Sequence, residues 1–175
     1  MLKNLSLFFL MLLSSLALQA QPSWITEAVP GAQKVGGGTL RFIGMKIYDA
    51  ELWAKPGFDV NKFTEQPFVL KLTYARSLVG KLIAERSDKE IRQLGLADEM
   101  RRKIWLEQMI KLFPDVKQGD SLAAVYIPGK SLTMLRNDAL LGEIGDPEFA
   151  RAFVSIWLHP DTSAPDLRKA LASNR

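Results

Sequence analysis

The 175-residue chain has no cysteine, which excludes disulfide frameworks, thiolate metal sites and cysteine nucleophiles. Its one histidine, His159, rules out a multi-histidine metal centre and leaves a Ser-His relay with little support. Gly and Pro number only 12 and 9, far from collagen-like or low-complexity usage. Charge of one sign is also scarce: 23 Lys+Arg stand against 19 Asp+Glu. That mild, scattered excess gives no electrostatic footprint for nucleic acid. No P-loop, no GxGxxG after a strand, no GxSxG and no HExxH occurs. What remains is a chain 47% apolar and 24% charged, a composition that folds around a core.

Met1 to Asn4 carries Lys3, Leu5 to Leu18 is apolar apart from three serines, and Gln19-Ala20-Gln21-Pro22 follows. This order of charged, apolar and small residues is that of a secretory signal, expected to be cut after Ala20, with Ala17 as second choice. Its apolar stretch of about 14 residues is short for a bilayer span, which needs about 20. With no Cys near the cut, a lipoprotein anchor is not expected. The expectation is a signal peptide over 1–20 and a single domain over 21–175, soluble once cleaved and located in the periplasm or secreted. Loss of Lys3 leaves 22 basic against 19 acidic residues.

Residues 21–37 read as a leader, with Pro30-Gly31 as a turn and Gly36-Gly37-Gly38 as a flexible entry. Thr39 to Ala54 alternates with period two, Lys46, Tyr48, Ala50 and Leu52 falling on one face and Ile47, Asp49, Glu51 and Trp53 on the other. Sixteen residues exceed one straight strand, so Gly44 marks a bulge or the bend of a hairpin. Pro67 to Arg76 forms the next strand. Ser87-Asp88-Lys89-Glu90 fits a capping box opening a short helix. A second helix over Asp98 to Phe113 stripes Trp105, Met109, Leu112 and Phe113 on one side and ends at Pro114. Its Arg101-Arg102-Lys103 cluster reads as a solvated face.

Leu122 to Ile127, Leu132 to Arg136 and Leu140 to Ile144 form a three-stranded meander, with Asn137-Asp138 in a tight turn. Asp146-Pro147-Glu148 starts a helix with an N-cap acid and a proline at the first position. His159 ends it beside Pro160, where a cation complements the helix dipole. A last helix runs from Asp166 to about Ala172 behind a cap at Ser163-Ala164-Pro165. Strand runs kept apart from helix runs indicate an α+β fold, an antiparallel sheet covered on one face by helices.

Arg41 and Arg76 stand in or at the end of apolar strands. A buried arginine needs an anionic or carbonyl partner. That partner is either internal (Asp49, Glu51 or Glu85) or the carboxylate of a ligand, which suits the planar guanidinium fork. Of the two, Arg41 is the candidate for the ligand and Arg76 for structure. Tyr48 and Tyr74 could add hydroxyls beside Arg41, or serve as core rings with wet tips.

These segments have a precedent. GGGTLRFIGMKIYDAELWA resembles the glycine-rich strand entry of chalcone isomerase-like proteins. PFVLKLTYAR with LVGKLIAERS resembles their next strand and helix start, and DPEFARAFVSIWLHPDTSAPDLRKALA their closing helices. The resemblance spans about Val35 to Ala172 and is nearest to a bacterial exported branch. It implies an open-faced β-sandwich: a large antiparallel sheet, a layer of α-helices and a cleft between them, with no cofactor. The family includes enzymes that cyclise chalcones and relatives that bind fatty acids.

The enzymes use an Arg for the phenolate nucleophile, and a Tyr with Thr and Asn partners for the enone carbonyl. Arg41 is nearest to that Arg, though closer to the Ile47-Tyr48 pair than in the enzymes. Ile83 occupies the position matching the Tyr, Glu90 falls near the Asn, and Ile43 stands where the Thr would be. Isoleucine donates no hydrogen bond to an oxyanion, a loss of roughly 3 kcal/mol of barrier lowering. The sequence therefore points to an exported, non-enzymatic binder of a fatty acid or similar apolar carboxylate. The ligand-binding candidates are Arg41, Tyr48 and Tyr74, with no catalytic residues and no metal. The alternatives are an isomerase (intramolecular lyase) acting on a chalcone-like enone, and an envelope interaction protein whose cleft is filled by its own side chains.

Overall fold

The computed structural model describes residues 22–173; the expected signal segment lies outside the described residues. Six strands form one antiparallel sheet in sequence order: β1 (Gln33–Phe42), β2 (Met45–Ala54), β3 (Phe68–Tyr74), β4 (Ser121–Tyr126), β5 (Leu132–Arg136) and β6 (Ala139–Ile144). The helices are α1 (Ser23–Ala28), α2 (Gly80–Gln93), α3 (Glu99–Leu112), α4 (Pro147–Leu158) and α5 (Pro165–Leu171).

Alternation decides which way the sheet faces. Tyr48, Ala50, Leu52 and Ala54 of β2 and Phe68, Leu70, Leu72 and Tyr74 of β3 point to one side. There they meet Phe149, Phe153 and Trp157 of α4 and Trp105 and Met109 of α3 in the main core. The opposite residues Val69, Ala123, Val125 and Leu135 form a second, smaller core with Ile25 and Val29. The helical layer covers one face as expected, and the opposite face carries one short helix that the sequence reading took for a leader. Residues 23–28 are helical, and α1 seats Ile25 on the back of the sheet, fully buried. Six residues are too few for a periodicity signal to show.

Two further expectations give way to close packing. Gly36-Gly37-Gly38 is no flexible entry but the middle of β1. A Cβ at Gly36 would lie 2.6 Å from the Leu171 carbonyl oxygen, and one at Gly38 2.8 Å from the Ala170 Cβ. The glycines let α5 rest directly on the strand, a role of contact rather than freedom.

Ser87 is likewise no N-cap: it lies inside α2 and donates to the Ile83 carbonyl at 2.9 Å. The helix begins seven residues earlier. Its Gly80 N–H donates 2.8 Å to the Asp115 carboxylate beyond α3, so the cap arrives from 35 residues away and leaves no local pattern to read.

The other starts follow their sequence. Asp98 accepts from the Arg101 N–H at 2.8 Å, and Asp146 from the Glu148 N–H at 2.8 Å. His159 is the C-cap residue of α4, and its Nδ1 accepts from the Asp161 N–H. The basic cluster of α3 is only partly solvated: Arg102 pairs with Asp88 of α2 at 2.9 Å, and Arg101 pairs with Glu148 of α4. α5 starts at Pro165 with no side-chain cap.

Candidate functional site

The β1–β2 hairpin shapes the site. Its two-residue turn, Ile43-Gly44, has both residues at positive φ, 47° and 75°. The pairing slips by one between Leu40 and Arg41, so that Leu40 faces Tyr48 while Arg41 faces Lys46. Ile47 is the extra residue, a β-bulge that re-aims its neighbours. Strict alternation would send Ile47 to the face opposite Tyr48. The bulge instead lets both line one cavity.

That cavity encloses about 480 Å³ between the concave face of the sheet and helices α2 and α4. Its floor is Leu70, Leu72, Leu122 and Ala124 from β3 and β4, and its roof includes Ile83 and Phe153. The protein's own side chains do not fill it. Polar groups are few: Arg41, Tyr48, Tyr74, Arg86, Ser87, Glu90 and Ser163.

All three predicted residues line this cavity, but not as foreseen in every respect. Tyr48 and Tyr74 are direct partners across β2 and β3, with ring centroids 5.8 Å apart in an edge-on arrangement. The Tyr48 hydroxyl accepts a 2.9 Å hydrogen bond from the Trp157 indole N–H. Burial pushes the Tyr48 phenol up to about 12, against a smaller lowering by that hydrogen bond. Burial raises Tyr74 also. Both are neutral phenols at physiological pH, able to donate.

Arg41 is corrected: it is exposed at the cavity mouth, not buried. Two residues short of the turn, its strand has left the core, and its Nη1 donates to the Gly44 carbonyl at 3.3 Å. The acids that could pair with it internally have other partners. Asp49 pairs with Lys46, Glu51 with Lys34, and Glu85 with Lys81. Arg76 donates to the Met45 thioether sulfur at 3.2 Å.

Sequence reasoning assigns neither Arg86 nor Trp157 to the site, yet both line the cavity. Arg86 pairs with Glu90 one turn later on α2, and Glu90 is buried on the cavity wall. The i, i+4 spacing of opposite charges is the available signal, but a helix begun at Ser87 leaves Arg86 outside it. Of the positions matching the enzymes' polar set, Ile83 lines the cavity, while Ile43 sits at the hairpin tip outside it.

The sequence matches the family described as chalcone isomerase-like over residues 35–172, and the chain belongs to that family. An uncharacterised protein of Haemophilus influenzae is 30% identical over 139 residues, covering 79% of this chain and 67% of the relative. Among solved structures, the fold is similar to that of an Arabidopsis thaliana fatty-acid binding protein. The TM-score is 0.65 at 10% identity, over 83% of this chain and 88% of the other. The expected open-faced sheet with a helical layer is the fold observed.

Proposed function

We propose that this chain is a non-enzymatic binder of an apolar carboxylate, a fatty acid or a molecule of similar shape. The observation that carries this reading is the cavity itself. Its volume lies within the roughly 300–1,000 Å³ of small-molecule sites, and its walls are apolar. Its charged residues, Arg41 and Arg86 against Glu90, sum to one positive charge.

A single carboxylate balances that charge, and neutral phenols at Tyr48 and Tyr74 give it donors. A chain of methylenes fits the apolar remainder, at about 0.8 kcal/mol per buried CH₂. The similar Arabidopsis protein, named for fatty-acid binding, supports the same reading. Ile83 on the wall supports binding over cyclisation, since it offers an enone carbonyl no proton or hydrogen bond. On the Met1–Ala20 pattern, we place its action in the periplasm or outside the cell.

Purification under mild conditions, organic extraction and mass spectrometry test the proposal. A carboxylated lipid near one equivalent is expected. An empty extract together with no thermal shift from added fatty acids overturns it. Turnover of a chalcone above the spontaneous rate, abolished by Arg41→Met, establishes the isomerase instead.

A further inference from the structure

The hairpin tip beside the cavity mouth is built against the interests of folding. A two-residue turn with both φ values positive favours Asn-Gly or Asp-Gly. The β5–β6 hairpin of the same sheet obeys that preference with Asn137-Asp138, at φ 48° and 67°. The β1–β2 turn places Ile43 there instead, a β-branched residue in the left-handed region. Its side chain gains nothing by burial, being 80% exposed. Strain and exposure at one residue point to a use outside the fold.

Ile43 does not stand alone. Phe42 (54% exposed) and Met45 (48%) flank it, and Leu82 (57%) of α2 lines the same cavity as Phe42. Phe42 and Leu82 belong at once to the outer surface and to the cavity lining, so apolar side chains lead from the surface into the site. Arg41, Lys46, Arg76 and Lys81 lie within a few residues of it in sequence. Lys46 and Lys81 have carboxylate partners in Asp49 and Glu85, whereas Arg41 and Arg76 donate to a carbonyl and a thioether. Charge at the rim is therefore net positive.

We infer that the β1–β2 tip and the first turns of α2 dock on an anionic phospholipid bilayer, with Ile43 and Phe42 inserted among the acyl chains. Apolar side chains ringed by cations are the composition of an interfacial anchor. A lipid in transit would pass from the bilayer into the cavity along Phe42 and Leu82 without crossing water. This use rests on the binder reading above, while the docking itself does not require a bound acid.

The absence of cysteine lets the test be position-specific. Ile43→Cys and, at the exposed tip of the other hairpin, Leu140→Cys are each labelled with an environment-sensitive fluorophore on the full chain. Vesicles of phosphatidylglycerol and phosphatidylethanolamine should shift emission to the blue at position 43 and not at 140. Phosphatidylcholine vesicles should give a much weaker response. Equal responses at both positions, no response at 43, an equal response to neutral vesicles, or a shift that follows protein concentration without vesicles each overturn the docking.

A second variant, Ile43→Asn, relieves the turn and removes the anchor. Its Tm should rise by about 2–4 °C, while vesicle affinity falls about tenfold or more. Unchanged affinity in this variant also overturns the proposal. Displacement of a fluorescent fatty acid in vesicle-free solution separates the two readings: it stands if only docking fails, and fails if the cavity takes no acid.

Discussion

The indole N–H of Trp157 on α4 donates to the hydroxyl of Tyr48 on β2 at 2.9 Å, across 109 residues of sequence. The bond ties the helix layer to the sheet at the wall of the cavity. It also occupies a lone pair of the phenol and leaves its proton to be donated. Tyr48→Phe should therefore act twice. The stranded buried indole N–H costs about 1–3 kcal/mol, read as a lower denaturation midpoint. Loss of a charge-assisted bond to the carboxylate should weaken fatty-acid binding by roughly tenfold or more, read by titration calorimetry. A Tyr48→Phe protein of unchanged affinity places the carboxylate elsewhere.

The three tyrosines give a pH signature. Burial raises Tyr48 to about 12, and raises Tyr74 and Tyr126 as well. An unfolded chain ionises its phenols near 10. The native state thus holds more protons above pH 10, so stability from these groups is full below that value and declines as pH climbs towards the folded values. Phenolate absorbance should show no ordinary wave at pH 10, and should appear together with loss of the near-ultraviolet dichroism. A separate three-tyrosine titration near pH 10 contradicts this burial.

Arg41 and Arg76 should separate by function and not by stability. Both lie towards solvent, so Arg41→Met and Arg76→Met should each change stability by no more than about 0.5 kcal/mol. Only Arg41→Met should weaken acid binding, because Arg41 lines the cavity and Arg76 does not. Equal losses of affinity would make the effect one of general charge.

Gly36 and Asp146 test the frame around the site. Gly36→Ala sets a Cβ against the Leu171 carbonyl and should destabilise by about 1–3 kcal/mol as α5 is pushed off β1. Asp146 accepts from the Glu148 N–H and from the Trp105 indole, both at 2.8 Å. Asp146→Ala should lose a cap worth about 1 kcal/mol and leave a buried indole N–H worth a further 1–3. Urea melts measure both; a neutral Gly36→Ala would mean that α5 is not seated on the strand.

Much of this was legible because local chemistry and tertiary role agreed. The period-two runs of β2 and β3, the Asn137-Asp138 turn and the Asp146-Pro147 helix start carry their own signals, and all form where expected. The misreadings share a different cause. The start of α2 depends on Asp115, the packing of Gly36 on α5, and the inward aim of Ile47 on a bulge in its partner's register. The first two are decided by residues distant in sequence, and the third by a pairing slip within the hairpin that no local pattern announces. Arg41 was expected inside because its neighbours are apolar. At the end of a hairpin one of those neighbours, Phe42, is itself exposed, while Leu40 still packs on the core.

The central claim is that the cavity selects an apolar carboxylate, and calorimetric titration of the delipidated protein with a long-chain fatty acid and the matching fatty alcohol tests it most directly. The two share a tail and differ in the charge offered to Arg41, Arg86 and the two phenols. We predict one site per chain, with the acid bound at least about tenfold more tightly, as expected for charge-assisted hydrogen bonds. Acid at a hundred times its dissociation constant should stabilise the fold by about 2.7 kcal/mol. Equal affinity for acid and alcohol, or binding of neither, would contradict the account.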